Sequence, residues 1–301
     1  MRFAKRVKSQ GLGSTKIWYN RLNLAQVVCI GRSDEELMVW ISLLAGVCVG
    51  VVLNWYADNV ARVGGVRRPK CQACGRPRPA ASWSAIIAYI TRRHRCPACA
   101  TPLSIRHVGV EAGTGALFAF CWLRTGANIQ TLFNVLYGAV FILLLVTDLE
   151  HKLIPHAVTL PAITLAAVGA FVNPAWDSPK RALLGGGIGL LGTLLVYWLG
   201  GVFVRLVSSA RGSEISEVAF GFGDVTLTTF IGLTVGAPDV IFAMIIGFLS
   251  GGAIAVAYLV VRGLIQRRYA LFTAIPYGPF LILGGATMLY FGTEFAAWYY
   301  R

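Results

Sequence analysis

Charged residues are scarce in this sequence. They make up 13% of its 301 residues, against about a quarter in an ordinary globular chain, while 56% of the residues are hydrophobic and the mean hydropathy is +0.66. That composition excludes a soluble domain of ordinary make-up and points to an all-α polytopic membrane protein. Tandem repeats and low-complexity tracts are absent, so repeat architectures are set aside. Acids are scarcer than bases, 13 against 27, for a net charge of +14. A charge of that sign would suit nucleic acid, but here it is broken up by apolar runs of the ~20 residues a bilayer crossing needs. The basic residues therefore read as loops on one side of a membrane, with lipid and no nucleic acid as the partner.

Apolar runs lie at about 38–57, 108–124, 129–147, 156–173, 182–204, 224–237, 239–261 and 276–293, giving about eight candidate transmembrane helices. The run at 224–237 is short, so its helix either begins earlier or places Asp224 below the membrane surface. The loop 58–107 holds ten Lys and Arg, and loops 148–155, 205–223 and 262–275, on the same side, add six. The opposite side holds four, Arg124, Lys180, Arg181 and Arg301. Positive charge faces the cytoplasm, so the cysteine-bearing loop after the first helix is expected there. With that orientation, Asp148 and Asp224 also fall at the cytoplasmic face.

Residues 1–37 break the pattern, with seven basic residues on the side that should be poor in them. They contain no apolar segment before Asp34 and so do not form a secretory signal peptide. They are expected to be a disordered basic tail, or to lie upstream of a working start at Met38. The expected organisation is this tail, a first transmembrane helix over 38–57, a cytoplasmic loop over 58–107 and a seven-helix membrane domain over 108–301.

Seven cysteines are present, and four of them form CQAC at 71–74 and CPAC at 96–99. Two such knuckles can turn Cys71, Cys74, Cys96 and Cys99 onto one tetrahedral zinc, leaving no open position for catalysis. Nearby Arg and Lys side chains would favour the thiolates. A redox pair is the alternative reading.

Acids within apolar runs cost free energy and are seldom retained without a task. Glu111, Asp148 and Asp224 are the three candidates. Two carboxyl groups that face each other do not both ionise cheaply, which makes one an acid and the other a base. Such a pair hydrolyses a peptide with an activated water and no covalent intermediate. Gly221 and Gly223, in GFGD, would free the backbone and clear space for an extended substrate. The plain alternative makes Asp224 a helix N-cap and Asp148 a solvated helix end.

VTDLEHKLIP, GFGDVTL, the paired CxxC loop, LSIRHVGVEAGTGALF and IPYGPFLILGG together resemble the type IV prepilin peptidase family over about 40–295. The resemblance implies an eight-span intramembrane aspartic protease of the cell inner membrane, with 108–301 as its peptidase domain. It would cut the leader from type IV prepilins or type II secretion pseudopilins at the cytoplasmic face, with Asp148 and Asp224 as the catalytic pair. Members with the cysteine loop also N-methylate the new N-terminus, commonly phenylalanine, from S-adenosylmethionine. Cys71, Cys74, Cys96 and Cys99 match the zinc positions. The chain departs from the family at Thr226, where a lysine is usual. Glu111 matches a family glutamate that either balances loop arginines or serves methyl transfer, and the ion pair is the plainer expectation. His94, His107, His151 and His156 are expected to be solvated. The competing readings are a non-enzymatic zinc-ribbon scaffold or transporter, and another GxGD-type intramembrane protease.

Overall fold

Residues 15–60, 69–71, 73–79, 82–176, 178–211, 221–266 and 276–299 are described by the computed structural model of the chain. Among them the regular structure is helical apart from two isolated β-bridges. The helices are α1 (Thr15–Val60), α2 (Ala85–Ile90), α3 (Ile105–Thr125), α4 (Ile129–His151), α5 (His156–Val172), α6 (Pro179–Arg211), α7 (Phe222–Val235), α8 (Asp239–Gln266) and α9 (Gly278–Tyr299). The eight expected apolar runs coincide with α1 and α3 to α9. Five segments are long and apolar enough to cross a membrane: Glu35–Val60 of α1, α4, Pro179–Leu206 of α6, Asp239–Val261 of α8, and α9. The apolar helices α5 and α7 are shorter. The first 14 residues of the expected tail, and 61–68, 72 and 80–81 of the expected loop, lie outside the described residues.

Local sequence sets the helix ends. The Ser104 hydroxyl accepts from the Arg106 N–H at the start of α3, and Asn128 Oδ1 accepts from the Thr131 N–H, 2.8 Å away, at the start of α4, each satisfying an amide that has no partner within its helix. Helix α4 stops at Lys152, which takes a left-handed conformation with φ 51° and returns its N–H to Asp148 O at 2.9 Å.

Helix α7 is the centre of the bundle. Val225, Leu227 and Phe230 are fully buried, and the Phe230 ring meets Tyr137 and Phe141 of α4 edge-on, at 5.9 and 5.3 Å. Small residues let the helices close. A Cβ on Gly232 of α7 would overlap the carbonyl of Gly185 in α6, and one on Gly50 of α1 would lie 2.7 Å from Glu111 Cα in α3. Close backbone approach is how helices associate in lipid, where apolar side chains gain little by leaving the solvent. The outward faces of α1, α6 and α8 stay apolar, with Trp40, Leu44, Leu191, Trp198, Leu249 and Val256 exposed, as a lipid-facing surface requires.

Contacts at the two ends of the bundle fix how the helices alternate. At one end Arg106 of α3 pairs with Asp58 of α1 and, at 2.8 Å, with Glu150 of α4, while His156 at the start of α5 meets Phe222 at the start of α7. At the other end Arg124 of α3 pairs with Glu294 of α9, and Arg181 of α6 donates to Ala237 O, between α7 and α8, at 3.2 Å. The ends carrying Asp148, Asp224 and the cysteine segment therefore share one side, the arrangement expected from counting spans.

Candidate active site

Asp148 lies in the last turn of α4 and Asp224 in the first turn of α7, and both are buried, at 5% and 8% exposure. The segment joining α4 to α5 brings them together. Ile154, in that segment, packs against both sites: a Cβ on Gly223 would lie 2.8 Å from Ile154 Cβ, and one on Gly278 would lie 3.3 Å from Ile154 Cδ1 while overlapping Asp148 Oδ2. Asp148 lies within electrostatic reach of Asp224. Asp224 occupies the third position of its helix rather than the N-cap, and its Oδ2 accepts the Gly221 N–H at 2.9 Å. Among the described residues its other oxygen takes no hydrogen bond, and a carboxylate can accept at both oxygens.

Several expectations change here. Gly221 has φ −90° and is extended, and Gly223 is helical, so neither uses the positive φ that glycine allows. Gly223 is small because Ile154 packs on it, whereas a Cβ at Gly221 would, among the described residues, meet nothing closer than 3.7 Å. Thr226, where the family usually has lysine, is buried and donates to Gly223 O at 2.9 Å. Tyr277 and Gly278 went unremarked in the sequence beyond their place in IPYGP. Gly278 covers the Asp148 carboxyl, and Tyr277 lies within electrostatic reach of Asp224.

The four cysteines of the two knuckles converge as expected, with all four sulfurs within 4.8 Å of one another. Each knuckle is closed alike. Cys71 N–H donates to Arg76 O and Gly75 N–H to Cys71 O. Cys96 N–H donates to Thr101 O and Ala100 N–H to Cys96 O. The bridges Lys70–Pro77 and Arg95–Pro102 seal the turns. The Sγ separations of 3.6 Å for Cys71–Cys99 and 3.7 Å for Cys74–Cys96 match the edge of ~3.8 Å of a tetrahedron with ~2.3 Å metal–sulfur bonds. The residues present therefore fit a metal ion. At Cys99 and Cys71 an amide and a hydroxyl, rather than the expected arginines, favour the thiolate: the Thr101 hydroxyl, 3.2 Å from Cys99 Sγ, brings that thiol down to about 6, and the Cys74 N–H lowers Cys71, while Cys74 itself is pushed up to about 11.

Glu111 departs from the expected ion pair. It is fully buried in α3, where Ser84 Oγ and the Ala85 N–H donate to it at 2.7 Å and the Ile86 N–H at 3.0 Å. These amides open α2, so Glu111 fastens the cysteine segment to a membrane helix. The histidines were expected to be solvated, but His107 is buried, with Nε2 3.1 Å from Asp58 Oδ2, and His94 stacks on Tyr89 with ring centroids 4.6 Å apart.

A helical, multi-pass membrane bundle with two interacting buried acids beside a four-cysteine cluster is the class of protein that fold and site define. The profile of the Type IV leader peptidase family matches residues 135–256, which carry both aspartates, and that of the Bacterial Peptidase A24 N-terminal domain matches 44–125, which carry the cysteines and Glu111. The chain belongs to the type IV leader peptidase family. It is 29% identical to a prepilin leader peptidase/N-methyltransferase of Legionella pneumophila over 214 residues, 71% of this chain and 69% of the relative. Proteins of the same description from Pseudomonas putida and Bacillus subtilis are 28% and 24% identical, covering 76% and 78% of this chain and 73% and 86% of their own lengths. No solved structure matches the chain.

Proposed function

We propose that this protein is an intramembrane aspartic endopeptidase that cuts the leader from prepilin-like substrates with Asp148 and Asp224, and that it N-methylates the new N-terminus. The observation that carries the peptidase reading is the pair of interacting acids buried at adjoining helix ends. The 14 residues of α7 rise ~21 Å, short of the ~30 Å hydrocarbon thickness. That length supports a recessed Asp224, tolerated because its helix is enclosed by protein. One carboxyl group takes a proton from water, the water attacks the scissile carbonyl, and the other carboxyl protonates the oxyanion and then the leaving amine. Gly221, open above Asp224, would let an extended substrate approach.

The bundle would cross the membrane eight times, with the acids and the cysteine segment on the cytoplasmic side, as the sixteen-to-four distribution of basic residues favours. The membrane would be the inner membrane, where pilus or secretion pilins present their leaders. Cys71, Cys74, Cys96 and Cys99 would hold zinc as a structural ion that orders the two knuckles. Bound S-adenosylmethionine supplies the electrophilic methyl group, which the new α-amine accepts with loss of a proton and release of S-adenosylhomocysteine.

The test is cleavage of a purified prepilin substrate by the protein in detergent. Asp148→Asn and Asp224→Asn should each lower the rate by about 10²–10⁴-fold or more, the usual worth of an acid–base group, while the protein remains folded. Cleavage at the normal rate by either variant would rule out the aspartic mechanism and favour a scaffold or transporter.

A further inference from the structure

Three charges meet at the end of the bundle that carries the aspartates: Asp58 in the last turn of α1, Arg106 in the first turn of α3 and Glu150 in the last turn of α4. Each stands at the unfavourable end of its own helix. A helix N-terminus is electropositive and disfavours a cation, and a C-terminus is electronegative and disfavours an anion. Their mutual pairing offsets these costs. Arg106 donates to Asp58 through Nη2, and its Nε lies 2.8 Å from Glu150 Oε1. The Arg106 side chain is only 17% exposed, so water screens these pairs less than it would on an open surface. The peptidase mechanism given above uses none of the three.

Glu150 follows Asp148 by two residues, and two positions along an α-helix turn the side-chain direction by ~200°. Asp148 faces α7 and α9, with Asp224 within electrostatic reach and Gly278 against its carboxyl. Glu150 faces the other way, toward α3. A grip on the back of this turn therefore sets where Asp148 points in front. Helix ends fray, and α4 stops at Lys152, two residues past Glu150. His151 adds little hold, with Nε2 3.9 Å from Glu150 Oε2. The Arg106–Glu150 contact is one of charge, since Nε lies close to the carboxylate without an aligned hydrogen bond.

We infer that Arg106 and Glu150 are positioning residues of the peptidase: Arg106, anchored on Asp58, holds the last turn of α4 so that the Asp148 carboxyl faces Asp224. The inference rests on the peptidase reading given above. Cutting the clamp misplaces the acid pair without removing it, so the chemical step slows while substrate binding is kept.

The experiment measures kcat, KM and melting temperature for full-length protein in detergent cleaving a purified prepilin substrate. Glu150→Gln and Arg106→Gln should each lower kcat by about tenfold to a hundredfold and leave KM within about threefold, as expected for a misplaced catalytic group. The double variant should be no slower than the slower single one, because both substitutions cut the same contact. Arg106→Lys keeps the charge, and where no bidentate geometry is at stake it should restore kcat to within about threefold of wild type. Glu150→Gln leaves Arg106 on Asp58, so it decides the matter even if Arg106→Gln fails to fold. Wild-type kcat in Glu150→Gln would overturn the inference, as would losses that multiply in the double variant or that Arg106→Lys shares in full. Asp148→Asn, assayed alongside, separates this result from the reading beneath it: wild-type cleavage by that variant would overturn the peptidase reading and the clamp with it.

Discussion

At the scale of single residues, the site depends on side chains that are missing. Gly278 opens α9 with its backbone against the Asp148 carboxyl, in a place where a methyl group would overlap Oδ2. Ile154 packs on the same glycine, so the overlap falls on the Asp148 carboxyl at the far end of its side chain. Gly278→Ala should therefore displace the Asp148 carboxyl and lower prepilin cleavage by about tenfold to a thousandfold, since small misplacements of a catalytic group are costly. The remainder of the fold should be unaffected. Cleavage by Gly278→Ala at the wild-type rate, in protein of wild-type melting temperature, would show that the carboxyl is not confined there. Thr226 is a second case at this scale. Its buried hydroxyl is used within the first turn of α7, so the lysine usual in the family would need a different arrangement around Asp224.

At the scale of elements, α2 is the piece that membrane patterning could not reveal. It has six residues inside a polar loop, too few for a periodic signal, and its first amides anchor it by donating to Glu111 across the gap to α3. Glu111→Ala removes the acceptor of two backbone amides and a hydroxyl, at about 1–3 kcal/mol for each buried group left unpaired. Hydrogen exchange should then quicken in 82–91 by at least an order of magnitude while α4 and α7 keep their protection. Unchanged exchange in α2 would mean that another contact holds it. The long apolar helices were legible because each run exceeds a turn or two of hydrophobicity between charges, and the two aspartates and four cysteines stood out as costly or paired residues. What was not legible depends on contacts across the chain: Gly278 on Asp148, 130 positions apart, Asp58 with Arg106, and the burial of His107 where a solvated loop residue was expected. The packing of Ile154 on Gly223 is of the same kind, since only the fold places Ile154 over it.

At the scale of the whole molecule, two bodies meet on one side of the membrane bundle. One is the helical core around α7; the other is the cysteine segment, whose own buried apolar cluster, among the described residues, is Ala85, Ala88 and Leu103. So small an apolar core does not hold a segment of this length in one conformation without a staple, and the four sulfurs, spaced for a tetrahedral ion, provide the place for one. Core packing of α4, α7 and α9, by contrast, involves none of these cysteines. The two bodies should therefore come apart in stability when the ion is removed. Chelation, or Cys96→Ser, should release close to one equivalent of zinc and loosen the backbone at Arg92, Arg93 and Arg95, already on the surface, enough for trypsin to cut there, because metal binding free energy is folding free energy in such knuckles. The far-ultraviolet circular dichroism of the bundle should change little. Two results would contradict this division: trypsin resistance of the segment after complete loss of metal, or collapse of the helical signal along with it. The second would mean that the cysteine segment supports the bundle, through Glu111 and Arg106, rather than being carried by it.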